Sequence, residues 1–221
     1  MHFRDRTDAG RRLGEALAHL RGEDPLVLGL PRGGVPVAYE VARALDAPLD
    51  VAVARKVGAP GQPELGVGAV SQGVTVIDEA TVALLGLRDE DLQPIIEEET
   101  RELHRRLLLY RGSDTLPDVK GRFVVLVDDG LATGVTTRAA SRALRRLQPA
   151  RLVLAVPVGP PETVESIRSE VDELICLYQP PVFRAVGLWY DDFAQTSDRE
   201  VLEFLERRRI ERGEVPAQPG A

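Results

Sequence analysis

Short, unbroken apolar runs alternate with amphipathic stretches along most of this 221-residue chain. Residues 26–30 (LVLGL), 51–54 (VAVA), 123–127 (FVVLV), 152–157 (LVLAVP) and 173–178 (ELICLY) have the length and apolarity of strands buried on both faces. Helical spacing recurs around them. Leu13, Leu17 and Leu20 share one face of a helix predicted over 6–20, and 35–45 reads as a helix with Pro36 tolerated in its first turn. Further helices are predicted over 135–147, 162–169 and 198–209. Strand, loop, helix and strand in repeated succession predict an α/β chain built on a parallel sheet.

Two stretches break the rhythm. Residues 58–73 are rich in Gly and Pro and read as a mobile loop leading into strands at 67–71 and 74–77, with Gln72-Gly73 as the hairpin turn between them. Asp78 or a neighbour is placed to cap a helix over 79–85. Residues 92–110 then form a long polar helix with Ile95, Ile96, Leu103, Leu107 and Leu108 as its apolar stripe. Its Glu97 to Glu99 run, set against Arg101, Arg105 and Arg106, is a solvated face of opposite charges four apart. Residues 213–221 read as a frayed tail.

Composition narrows the function classes. Apolar residues make up 43% and charged residues 29%, as in an ordinary globular protein whose core is large enough to stand without disulfides. A net charge of -7 and a pI near 5.1 argue against a nucleic-acid partner. The lone Cys176 lies in an apolar run, where a free thiol is commonly a small core residue, and it fits a reducing cytoplasm. His2, His19 and His104 are too scattered for a zinc site. No run of 18 apolar residues offers a membrane span, and the charged first residues are not expected to be a signal peptide.

The candidate chemistry sits in VVLVDDGLATGVTT, residues 124–137. An apolar strand runs into Asp128 and Asp129; a small-residue loop through Gly130, Ala132, Thr133 and Gly134 follows; a helix then starts at Val135, with Thr136 and Thr137 in its first turn. A helix N-terminus offers unpaired N–H groups and a positive dipole end, and Gly134 lets that backbone approach an anion. Two carboxylates aimed at the same anion would repel it. They make sense as acceptors for vicinal hydroxyls a few ångströms away, and a ribose 5-phosphate carries both groups. A plain strand-end cap is the alternative for the acid pair alone.

This segment resembles the diphosphoribose-binding signature of the type I phosphoribosyltransferases, and the order of elements from about residue 26 to 178 agrees. The resemblance implies a central five-stranded parallel sheet flanked by helices, a flexible β-hairpin loop and a C-terminal hood. It divides the chain into a core over 1–178, with the loop and hairpin at about 55–78 and a long helical insertion at about 88–111, and a hood with a C-terminal helix over 179–221. The implied donor is 5-phosphoribosyl 1-diphosphate (PRPP) with Mg2+, the implied acceptor a small nitrogenous base, and the family habit is a homodimer.

Other residues take their roles from this resemblance. Asp128 and Asp129 hold the ribose, and Ala132, Thr133, Gly134, Val135 and Thr136 hold the 5-phosphate. Arg32, Gly33 and Gly34 form the pyrophosphate loop, in which family members often carry a non-proline cis peptide, expected here at Pro31–Arg32; a plain turn before a helix is the alternative. Arg55 and Lys56 open the flexible loop, where Lys56 or Arg55 neutralises the departing pyrophosphate unless the two are a solvated surface pair. In the hood, Phe183, Trp189 and Tyr190 are the stacking groups for the acceptor and Asp191 or Asp192 an acid near the metal. Equally, those aromatics glue the C-terminal segment to the core. Ala132 stands where members acting on 6-oxopurines carry an Asp, which argues against hypoxanthine or guanine. A PRPP-sensing regulator on the same fold is the rival function.

Overall fold

The protein is described here by a computed structural model covering residues 2–214; the tail at 215–221 lies outside the described residues. Five parallel strands form the central sheet: β1 (Leu26–Gly29), β2 (Leu49–Val51), and, further along the chain, β6 (Phe123–Val127), β7 (Arg151–Val158) and β8 (Glu173–Tyr178). Their order is β2-β1-β6-β7-β8. Helices α1 (Arg6–Ala16), α2 (Gly34–Leu45), α5 (Val135–Arg146) and α6 (Pro161–Ile167) accompany it, and α7 (Asp198–Glu211) places Val201 and Leu205 in the main core. Val124 to Val127 and Leu152 to Val156 are fully buried, as their uninterrupted apolar runs require.

Strand order fixes where a ligand can sit. From β1 the chain steps outward through α2 to β2, whereas β6 is followed by β7 and β8 on the other side. The switch point therefore lies between β1 and β6, and the loops leaving their carboxyl ends face one crevice.

Two expectations are corrected. The strand predicted at 51–54 is broken. β2 ends at Val51, and a new strand, β3 (Ala54–Ala59), belongs to a second, three-stranded antiparallel sheet with β4 (Gln62–Ser71) and β5 (Val74–Ile77). The Ala52 amide still donates to Gly29 O, while Val53 O already accepts from the Ser71 hydroxyl, so the corner falls inside one continuously buried run.

The stretch expected as loop ahead of the strand at 67–71 is itself mostly strand, part of the β-hairpin that the resemblance implied. Ala59 pairs with Gln62 across a Pro60-Gly61 turn in which Gly61 has φ +73°. A Cβ on Gly58 would lie 2.5 Å from Pro63 O, and one on Gly68 would lie 2.6 Å from Val76 O. These glycines serve close backbone approach in an irregular hairpin rather than an open loop.

Smaller shifts follow from capping. The first helix ends at Ala16 and passes into a 3₁₀ turn at Ala18–Leu20. Asp78 caps α3 (Glu79–Leu85) as expected, accepting from the Thr81 amide. The long helix α4 (Asp89–Arg111) starts earlier than its apolar stripe, with Pro94 near its beginning. Cys176 is half-buried rather than enclosed, because β8 is an edge strand; its Sγ donates to Tyr178 O at 3.3 Å, and burial pushes the thiol up to about 11.

Candidate active site

The loops after β1 and β6 meet back to back. Leu30 N donates to Val127 O at 2.9 Å and Gly34 N to Leu30 O at 3.0 Å, which sets residues 31–33 against the end of β6. The Pro31–Arg32 peptide is cis, at the position the resemblance pointed to. A Cβ on Gly33 would fall 2.0 Å from Asp129 Oδ2, and one on Gly34 would fall 2.8 Å from Val127 O. Only glycine at both positions lets this turn lie on the carboxylate pair. Arg32 reaches toward the start of α7, with Nη1 3.8 Å from Asp198 Oδ1; that carboxylate also accepts from the Tyr110 hydroxyl of α4. Burial, then this bond, pushes the Tyr110 phenol well up.

Beyond the acids, Leu131 N donates to Val158 O at 2.8 Å, and Ala132 O accepts from the Thr163 hydroxyl at 2.9 Å, which pins the loop to β7 and α6. Gly134, the N-cap of α5, has φ +72°, and a Cβ there would lie 2.3 Å from Ile167 Cδ1. Ala132 and Thr133 are exposed at the tip and Thr136 is half-buried. Thr137 is buried, so of the two threonines in the helix's first turn, Thr136 is the more exposed.

The two carboxylates differ in company. Asp128 Oδ1 accepts from the Asp129 amide at 2.9 Å. Burial, and then the neighbouring Asp129 charge, push Asp128 well above the usual carboxylate range. Burial also raises Asp129, but the Arg6 charge and hydrogen bonds pull it back. Arg6 was not foreseen from sequence. Its Nε and Nη2 lie 2.9 and 2.8 Å from Asp129 Oδ2, its Nη1 donates to Ala194 O at 2.7 Å, and its guanidinium sits 3.9 Å above the Phe193 ring. With the partners 123 positions apart, the local pattern at the start of α1 carried no signal of this pairing.

The segment expected to form the hood is packed against the first residues of the chain. Phe3 N donates to Trp189 O, Asp191 N to Phe3 O and Asp192 N to Arg4 O, so residues 2–4 run beside 189–192. Tyr190 departs from its expected stacking role: it is 5% exposed, its ring contacts Phe3 and Phe193, and its hydroxyl donates to Asp129 O at 2.6 Å. It is the glue of the second sequence reading. Trp189 and Phe183 stack at 6.4 Å with 16° between planes, both half-buried, and Trp189 also meets Tyr178 edge-on.

Asp191 and Asp192 do not form a metal pocket. Both are exposed; Asp191 pairs with His2 at 2.9 Å, and Asp192 Oδ1 accepts from Ala194 N. Among the described residues no three His, Cys, Asp or Glu side chains are grouped to hold an ion. Arg55 lies on β3 with Glu99 of α4 as its ion-pair partner at 2.7 Å, and it lines with Lys56, Ile95 and Glu98 a cavity of about 440 Å³ under the hairpin. Among the described residues no helix is long and apolar enough to cross a membrane.

A parallel sheet whose switch point holds a glycine turn, a carboxylate pair and a small-residue helix start defines a phosphoribosyltransferase-type α/β protein. The chain belongs to the phosphoribosyl transferase domain family, whose model matches residues 7–188. It is 46% identical over 217 residues to two Mycobacterium tuberculosis proteins, from strains CDC 1551 and H37Rv, each provisionally named a phosphoribosyl transferase. That match covers 97% of this chain and 49% of theirs, so the chain spans about half the length of these curated relatives. Among solved structures, TT1426 from Thermus thermophilus is similar over 94% of this chain and 99% of its own, with 44% identity and a TM-score of 0.77.

Proposed function

We propose that this chain transfers a 5-phosphoribosyl group from PRPP to a nitrogenous base and releases pyrophosphate. The observation that carries the reading is the packing of the Gly33-Gly34 turn directly onto Asp128 and Asp129, beside the start of α5. That packing supports the reading, because N–H groups and Arg32 suited to a pyrophosphate, carboxylates suited to ribose hydroxyls and a helix start suited to a 5-phosphate come from adjoining loops.

In this reading the loop from Ala132 through Thr133, Gly134 and Val135 to Thr136 anchors the 5-phosphate with binding energy remote from the reacting carbon. Asp128 and Asp129 accept from the ribose hydroxyls, and their charge favours the positive character that develops on the sugar as the bond to pyrophosphate breaks. Arg32 and the glycine N–H groups receive the pyrophosphate, and Arg55 and Lys56 join them when the hairpin closes and excludes water. Phe183 and Trp189 supply the aromatic face for the acceptor. Mg2+, when bound, would supply neutralisation of the charge on the departing pyrophosphate; among the described residues no three His, Cys, Asp or Glu side chains are grouped to hold it unaided. Ala132 disfavours a 6-oxopurine acceptor, because no acid stands there to carry a proton for the base.

The test is exchange of labelled pyrophosphate into PRPP with a panel of nitrogenous bases. Exchange with at least one base is expected. Bound PRPP with no turnover on any base would remove the enzyme claim and leave a PRPP sensor on the same fold.

A further inference from the structure

Arg6 is 12% exposed at its side chain, and none of its donor edges is idle. Nε and Nη2 both contact Asp129 Oδ2, Nη1 holds Ala194 O, and the flat face lies on Phe193. A guanidinium held at three edges and one face has one orientation. Arg6 precedes the residues matched by the family model, 7–188, while Tyr190, Phe193 and Ala194 follow them. The clamp on Asp129 is therefore made by the two ends that flank the family domain. Tyr190 reinforces it through its bond to the backbone oxygen of Asp129.

We propose that Arg6 is a positioning residue for the ribose: it fixes the Asp129 carboxylate to the hood through Oδ2 and leaves Oδ1 to accept from a ribose hydroxyl. This rests on the ribose-phosphate reading of the site. An ion pair this enclosed gives little net stability by itself, because desolvation offsets its attraction. Its value lies in setting the geometry and charge of a group that touches substrate. Among the described residues, the charged or titratable groups facing Asp129 are Arg6 from α1, Asp128 from its own loop and Tyr190 from the hood; the turn before α2 presents Gly33, which is uncharged. Arg6 is the cation of that set. Without it, two adjacent buried carboxyls would compete for one charge, and a protonated Asp129 would no longer be an acceptor-only group.

The experiment measures binding of PRPP, ribose 5-phosphate and inorganic phosphate to the full chain by calorimetry between about pH 5 and 9. Arg6→Gln is expected to weaken PRPP and ribose 5-phosphate alike by on the order of tenfold, to leave inorganic phosphate unchanged, and to move the acid limb of PRPP binding to higher pH. Arg6→Lys keeps the charge without the fork and is expected to keep the wild-type limb while losing about threefold in affinity. A folded Arg6→Gln protein, judged by near-UV circular dichroism, with wild-type affinity and limb overturns the proposal, as does Arg6→Lys matching Arg6→Gln in both readouts. If Arg6→Gln does not fold, Arg6→Lys decides: wild-type affinity overturns the proposal and the threefold loss supports it. Failure of the wild-type chain to bind PRPP and ribose 5-phosphate overturns the underlying reading, and the proposal with it.

Discussion

Asp128 and Asp129 are neighbours in sequence, yet among the described residues the ion pair with Arg6 is made by Asp129. Asp128 carries the larger burden of burial beside a like charge, and both effects favour its protonated form. The linkage sign follows. In the unfolded chain this carboxyl loses its proton near pH 4; in the fold it keeps it to higher pH, so the folded state binds more protons across that window. Stability of the ligand-free protein therefore falls as pH rises from about 4 to the folded-state value, and is level above it. Asp128→Asn removes this cost and retains an oxygen to accept from the Asp129 amide. It is expected to raise the ligand-free melting temperature at pH 7 by about 2–4 °C, for roughly 1 kcal/mol, and to weaken PRPP binding about tenfold or more. Scanning calorimetry at two pH values checks this. The gain should vanish near pH 3, where both states are protonated; a gain of equal size at both pH values would refute the electrostatic cause.

Elements differ in how openly the chain announces them. Strands β6 and β7 are legible because a doubly buried strand must be apolar at every position, and the helix start at Val135 is legible because the glycine and threonines that shape it are local. The corner at Ala52 and Val53 is not, since burial continues unbroken from one sheet into the other. The near half of the hairpin, 58–66, hides for the opposite reason: its Gly and Pro read as loop, although Gly58 is demanded by a backbone atom 2.5 Å from where a Cβ would stand. Arg6 on Asp129 and Asp198 near Arg32 are pairings across the fold, which no local pattern encodes. The second of these sets up a competition. Arg32, assigned to the pyrophosphate, rests 3.8 Å from a carboxylate at the start of α7. Asp198→Asn takes away that rival charge and keeps an oxygen for the Tyr110 hydroxyl. PRPP affinity by calorimetry is expected to rise about two- to fivefold, within the range of a half-exposed ion pair, with ribose 5-phosphate affinity unchanged because it lacks the pyrophosphate. An equal change for both ligands would place the effect elsewhere than Arg32.

At the scale of the whole molecule, the chain has two sheets of unequal support. The central sheet carries the main core, with β6 and β7 enclosed between helices, and the crevice at its switch point is built on that frame. The far half of the second sheet rests on a small separate cluster of Val57, Ala59, Val67 and Val70 against Leu92 of α4. A loop that closes over the donor, as proposed for the hairpin, must open to admit it and close to exclude water, so it belongs at the low-stability end of the fold. Little buried apolar area, an irregular register between Val57 and Ala59, and the cavity beneath Arg55 and Lys56 all put the hairpin there. Native-state hydrogen exchange should separate the two. Amides of β6 and β7 are expected to exchange only through global unfolding, and those of residues 55–68 through a local opening at least about 2 kcal/mol cheaper. Added PRPP should then slow the hairpin amides beyond the uniform protection that ligand binding gives to the whole fold. If hairpin and central sheet exchange at one common free energy, the two sheets open as a single unit, and hairpin closure over the donor loses its structural basis.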